Sequence, residues 1–466
     1  MRISSICLIG LVVVLPAAAE TADANAARAV AGEPRVAAAT TPQAVQPMGS
    51  ALPAASRFIY GTPGEEYPVF GGVPKEFWPF GNVEPYQRYF VTRMDFRGPG
   101  RNYPTPPDLK SLRIGLIDSP RYGPDWNRSE RTHAGIVQAI EEANHERQPG
   151  ELPFELIEHE GVAQWGGAAN LAALLADENV LGYLGMIDGT DAHVALRVTL
   201  KTEIVMINTS DPDPTLTETQ IPWLLRVLPD QRQEISKLAD LIVHRCGCRR
   251  IAILRAGDRF ARVGAHTLID YVRRLGCPAA QELLFKPGAT DIAYQLAAIK
   301  EAQPDAIFFL GEPEDIGRFA RQFRDAGVKA RFFGTDLMLE DGFLKNAGDA
   351  AEGTMFTCLF DPARSDPLWV SFVARFKARW GHEPDVYAAY AYDGAQIMLN
   401  AIRRAGPNRW RIRDLVCNLD YYQGVTGWMR FDGTVSNIAP VRLVRYEHGR
   451  PAFEPAPEFT PAVAQR

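Results

Sequence analysis

Five side chains stand where contact with a small guest is expected, each beside a short apolar run or the loop that follows one. Asp336 ends Phe333-Gly-Thr-Asp336, and Glu312 follows the run ending at Leu310. Arg259 and Phe260 lie in Asp258-Arg-Phe-Ala-Arg262, and Trp126 ends the loop that begins at Asp118. The chemistry on offer is recognition. A carboxylate at a strand end either accepts a ligand's donors or caps the helix behind it. Arg259 with Arg262 suits an anion or simply solvent. Phe260 stacks on a ligand or plugs its own lobe, and Trp126 covers an apolar guest or packs on the surface. Catalytic signatures are missing: there is no G-x-S-x-G elbow, no H-E-x-x-H and no phosphate loop ending in Gly-Lys-Ser/Thr. The eight histidines are scattered. The pattern is that of a binder rather than an enzyme, with no cofactor and no metal expected.

The elements that must position these residues form a strand/helix alternation that runs twice. One pass begins at Arg113-Ile-Gly-Leu-Ile117 and the other at Arg250-Ile-Ala-Ile-Leu254, with Arg226-Val-Leu-Pro229 between them. Apolar runs each followed by a loop and an amphipathic stretch predict βαβ units and parallel sheets. The expected fold is α/β, with two Rossmann-like lobes joined by a three-strand hinge, the chain crossing near Leu228, Phe360 and Gly427. Ligands of such sheets lie at the carboxyl ends of the strands, which is where the five residues fall.

Composition and the chain ends bound the setting. Arg2, the apolar run Ile6–Leu15 and Pro16-Ala-Ala-Ala19 predict a cleaved signal peptide over 1–19. Residues 20–57, rich in Ala and Pro, predict a flexible tether. Residues 58–110, dense in aromatics, Pro and Gly without a period, predict an irregular arm packed on the body, or alternatively a docking surface. Lobe one is expected at 111–228 plus 361–427, lobe two at 229–360 plus 428–455, and a tail at 456–466. A net charge of −6 offers no footprint for nucleic acid, and no later stretch is apolar enough to span a bilayer. Cys246, Cys248 and Cys277 precede consecutive strands, so adjacent parallel strands would bring them to one sheet edge. A Cys248–Cys277 bridge is preferred over Cys246–Cys277 in an oxidising compartment. A metal there would need a fourth ligand, and only His244 is close in sequence.

From about Leu112 to about Tyr446 the chain resembles the type I periplasmic binding proteins, in particular the leucine/isoleucine/valine-binding family. The resemblance is carried by Arg113-Ile-Gly-Leu-Ile-Asp-Ser-Pro120, Gly135–Asn144, Val180–Gly185, the loop from Ile207 to Thr217 and Leu225-Arg-Val-Leu-Pro229. Ala302–Ala306, Tyr392-Asp393 and Phe431-Asp-Gly433 add to it, in order.

The resemblance implies a ligand carboxylate held at a serine-rich turn after the third strand. Here that turn is Met186-Ile-Asp-Gly-Thr190, so Thr190 matches, whereas Asp188 would repel a carboxylate. Ser210 matches a backbone contact in the next loop, and Pro212 replaces a threonine, removing a hydroxyl and an N–H. Phe260 stands at a tyrosine, and Asp336 at the acidic partner of the ligand ammonium. Losing one or two charge-assisted hydrogen bonds, at roughly 1.5–3 kcal/mol each, argues against an ordinary branched-chain amino acid. The function implied is capture of a small organic ligand in the periplasm and delivery to the permease of an ABC transporter, with only peripheral contact to the inner-membrane complex. The alternative is a ligand-sensing receptor component that signals to a protein partner.

Overall fold

The structure, a computed structural model, describes residues 57–62, 64–67, 69–79, 83–118, 126–160, 166–185, 188–277 and 281–455. The expected signal peptide, the tether up to residue 56 and the tail lie outside the described residues. Among those described, no helix is long and apolar enough to cross a membrane.

The arm carries β1 (Phe58–Tyr60) and α1 (Tyr86–Val91), so it is not wholly irregular. The first lobe follows with β2 (Leu112–Ile117), α2 (Trp126–His145), β3 (Phe154–Ile157), α3 (Gly167–Asp177) and β4 (Gly182–Gly185). It continues through α4 (Gly189–Thr202), β5 (Val205–Asn208), α5 (Pro214–Glu218) and β6 (Leu224–Arg226). These strands form a parallel sheet in the order β3-β2-β4-β5-β6. β4 and β5 are buried at every residue, as strands covered by helices on both faces must be.

The second lobe opens with α6 (Gln231–Asp240), β7 (Ile251–Arg255), α7 (Arg259–Arg274), β8 (Gln281–Leu284) and α8 (Ala293–Ala302). Then come β9 (Ala306–Leu310), α9 (Pro313–Asp325), β10 (Arg331–Gly334), α10 (Asp341–Ala347) and β11 (Met355–Cys358). The α-helical part of α6 stops at Asp240, and a π turn, Leu241–Arg245, follows. Asp258 caps α7, its carboxylate accepting from the Ala261 amide at 2.8 Å.

The closing stretch is α11 (Pro367–Trp380), α12 (Val386–Ala405), α13 (Arg409–Cys417), β12 (Leu419–Gly424), β13 (Gly427–Arg430), β14 (Arg442–Glu447) and β15 (Arg450–Phe453). Helices α11 to α13 share a core with α2 on the first lobe. Gly135 of α2 lies directly against the backbone carbonyl of Ala388 in α12, leaving no room for a side chain. Strands β14 and β15 extend the second sheet antiparallel, in the order β15-β14-β11-β10-β9-β7-β8.

The chain passes between lobes after β6, after β11 and before β14. The third passage was expected near Gly427, but β13 pairs with β12, and Met429 and Phe431 belong to the first lobe's core. The passage comes instead through Ser436 and Asn437, which lie beside the first: Asn437 N–H donates to Arg226 O at 3.0 Å, and Asn437 Nδ2 donates to Val227 O at 2.7 Å.

The arm fastens across both lobes. β1 pairs antiparallel with β12 to make a sheet with β13. Phe70, Val73, Phe77 and Trp78 enter the second lobe's core, while Phe96 meets Trp223 of the first lobe at 4.9 Å. Arg93, 1% exposed, pairs with Asp420 at 2.7 Å and lies 4.4 Å over the Tyr67 ring.

Cys248 and Cys277 are free, buried thiols rather than the expected bridge. The strand after Cys248, β7, has neighbours on both sides, β9 and β8. The Cys248 thiol faces Asp305 O at the β9 side, whereas Cys277 precedes β8 and meets Arg249. Sharing a sheet edge therefore did not bring the two sulfurs together.

Candidate functional site

Gly185 ends β4 with φ +115°, and a Cβ there would strike the Ile117 carbonyl of β2. A backbone at that angle favours glycine, and Asp188 stands beyond it at the carboxyl edge of the sheet. From the same edge β5 delivers Thr209, Ser210 and Asp211. Across the gap, α7 presents Phe260 and the end of β10 presents Asp336. Tyr387 and Tyr390, one turn apart on α12, close the side. Together these line a cavity of about 60 Å³ between the lobes, with Arg128, Leu228 and Leu359 completing the wall. The carboxyl ends of both sheets thus face one polar hollow with an aromatic side.

Of the residues singled out from sequence, the cavity brings together Asp188, Ser210, Phe260 and Asp336. Asp188 caps α4, its Oδ1 accepting from the amides of Thr190 at 2.8 Å and Asp191 at 3.1 Å. Thr190 itself is exposed and is not part of the lining. Ser210 Oγ lies 3.0 Å from Thr132 Oγ1. Asp336 starts a short 3₁₀ turn, and its buried carboxyl accepts from the Leu337 amide and the Thr335 hydroxyl.

Arg259 and Glu312 are not in the lining; they join the lobes on its flanks. Arg259 pairs with Asp213 of the first lobe and donates to Thr215 Oγ1 at 2.9 Å. Glu312 meets Arg128 of α2 at 2.6 Å, and Glu340 lies 3.5 Å from the same guanidinium. Trp126 opens α2, but its side chain lies outside the described residues.

Sequence reasoning missed Arg128, Asp211, Tyr387 and Tyr390. Two tyrosines three apart in an otherwise alanine-rich helix were a usable signal, because buried hydroxyls need a reason. Asp211 was hidden in a string of turn formers.

The electrostatics are lopsided. Burial, reinforced by the neighbouring Asp213 charge, pushes the Asp211 carboxyl well above its ordinary value. Burial raises Asp336 to about 6 and Glu340 to about 7, against the opposing pull of Arg128. Burial also raises Glu234, which lies near Asp336 and is buried at its hydrogen bond to Thr357. Carboxyls with raised values gather here around Arg128, an arrangement associated with functional sites.

Two parallel-sheet lobes, crossed by hinge strands and meeting over a small polar cavity, define a two-lobed solute-binding protein. The chain belongs to the periplasmic binding protein family, whose model matches residues 111–450. The "Leu/Ile/Val-binding protein homolog 2" of Brucella abortus is 25% identical over 299 residues, covering 63% of this chain and 78% of that protein. A leucine-binding protein from Thermotoga maritima shares the fold with a TM-score of 0.66 and 23% identity, over 74% of this chain and 98% of that one. A branched-chain amino acid transporter substrate-binding protein from Streptococcus pneumoniae, solved in complex with isoleucine, shares it with a TM-score of 0.65 and 20% identity, over 74% of this chain and 99% of that one.

Proposed function

We propose that this protein is exported to the periplasm by a cleaved signal peptide over residues 1–19, captures a small organic ligand between its lobes, and delivers it to the permease of an ABC importer. The observation that carries this reading is the cavity itself, lined from one lobe by Asp188, Ser210 and Asp211 and from the other by Phe260 and Asp336. A ligand touching both sets makes contacts that exist only when the lobes are together, so its binding favours closure over the open state. Closure marks the loaded protein for its membrane partner. Among ligand contacts we assign Asp336 and Asp211 as acceptors and Phe260, Tyr387 and Tyr390 as the apolar wall. Relatives named for leucine, isoleucine and valine support an amino-acid-sized ligand.

Native mass spectrometry on protein taken from its own periplasm tests the reading. A bound small molecule, whose uptake is lost when the gene is deleted, is the expected result. Protein that carries no solute, with uptake unchanged in the deletion strain, would overturn it.

A further inference from the structure

The donors and acceptors that meet in the cavity are out of balance, and the imbalance selects the ligand. An incoming carboxylate needs N–H groups or cations. At the turn after β4, the amides of Thr190 and Asp191 already donate to the Asp188 carboxylate, so the positive end of α4 is filled by the protein's own anion. In the loop after β5, the amides of Ser210 and Asp211 donate to Asn208 Oδ1 at 3.1 and 2.9 Å, and the amide of Asp213 donates to Asp211 Oδ1 at 3.2 Å. Pro212 between them has no N–H. The guanidinium in the lining, Arg128, is held by Glu312 and Glu340. Among the described residues, the other side-chain donors of the lining are the neutral hydroxyls of Thr209, Ser210, Tyr387 and Tyr390, which cannot balance a buried charge.

Acceptors, by contrast, are in excess. Asp211 is 4% exposed, and its Oδ2 has no hydrogen-bond partner. That oxygen lies 3.1 Å from where a Cβ on Gly189 would sit, and Gly189 and Asp211 line the same cavity. Asp336 adds a second carboxyl from the opposite lobe. A buried carboxylate oxygen without a partner is costly unless a donor reaches it.

Building on the solute-binding reading, we propose that the ligand is a small organic cation, an amine bearing no carboxylate, whose ammonium donates to Asp211 while its apolar body rests against Phe260 and Tyr387. The usual polarity of an amino-acid site is thereby reversed: the end that would hold a carboxylate carries the carboxyls of Asp188 and Asp211.

Calorimetry on the full mature chain with 3-methylbutylamine, 1,4-diaminobutane, leucine and 4-methylpentanoate tests it. At least one amine is expected to bind tenfold or more tightly than leucine and 4-methylpentanoate, and Asp211→Asn to weaken that binding tenfold or more. Asp336→Asn, expected to weaken it in the same direction, serves if Asp211→Asn does not fold. Failure of both amines to bind, leucine or 4-methylpentanoate binding as tightly as an amine, or unchanged amine affinity in the folded variant would each overturn the proposal. Leucine binding would do so while leaving solute binding intact. The solute-binding reading fails separately, on protein that carries no solute from its own periplasm.

Discussion

Arg128 on the first lobe and Glu312 on the second stand 2.6 Å apart across the mouth of the cavity. Glu312 sits at the head of α9, before Pro313, and its side chain makes no capping bond; its carboxylate faces the other lobe. The pair bridges the two lobes, so under the proposed closure it would act as a latch. Glu312→Gln is expected to weaken ligand affinity about tenfold, or about 1.4 kcal/mol, with little change in thermal stability. Calorimetry alongside a melting curve checks both halves.

A second pair ties the arm down. Arg93 is buried, paired with Asp420, and donates to Phe431 O and Asp432 O. Removing it leaves the Asp420 carboxylate without its cation, though still held by the Tyr67 hydroxyl at 2.6 Å, so Arg93→Ala is expected to cost about 3 kcal/mol. Thermal unfolding should show this as a lower midpoint. An unchanged midpoint would mean that this pair adds nothing to stability.

Helix contact makes a sharper claim. A Cβ at Gly135 of α2 would meet the Ala388 carbonyl, which is backbone and cannot swing aside. Gly135→Ala should therefore destabilise by about 2 kcal/mol through overpacking, even though alanine is the better helix former. Denaturant unfolding that shows a gain in stability would contradict this contact.

Glu340 gives the chain a pH dependence of known sign. Burial raises its carboxyl from 4.5 to about 7, so between those values the folded protein keeps a proton that the unfolded chain has lost. Its contribution to stability is full below about 4.5 and is lost as pH rises through about 7. In melting curves across that window, the wild type should lose more stability with rising pH than Glu340→Gln. Equal slopes would show that Glu340 titrates at its ordinary value.

What the sequence made legible follows from burial. β5 and β9 are covered on both faces, so they read as unbroken apolar runs, Val205–Ile207 and Ala306–Leu310. β12, Leu-Asp-Tyr-Tyr-Gln-Gly, did not read as a strand, because it is half-exposed and its partner β1 lies in the distant arm. At the site, Asp188, Ser210, Phe260 and Asp336 were found because they end strands or follow family spacing. Arg128 was not. Its partner Glu312 is 184 residues away, and only the folded lobes bring the two together. Asp211 was legible as a turn residue, whereas its unpartnered oxygen is a property of the closed packing around it.

Small-angle scattering tests the central claim, that the lobes close on a small guest. Purified protein stripped of solute is measured before and after dialysis against the low-molecular-mass fraction of its own cells. A smaller radius of gyration on addition, reversed by washing, is the predicted result. Identical curves in the two states, with no hinge motion at any solute concentration, would contradict the account.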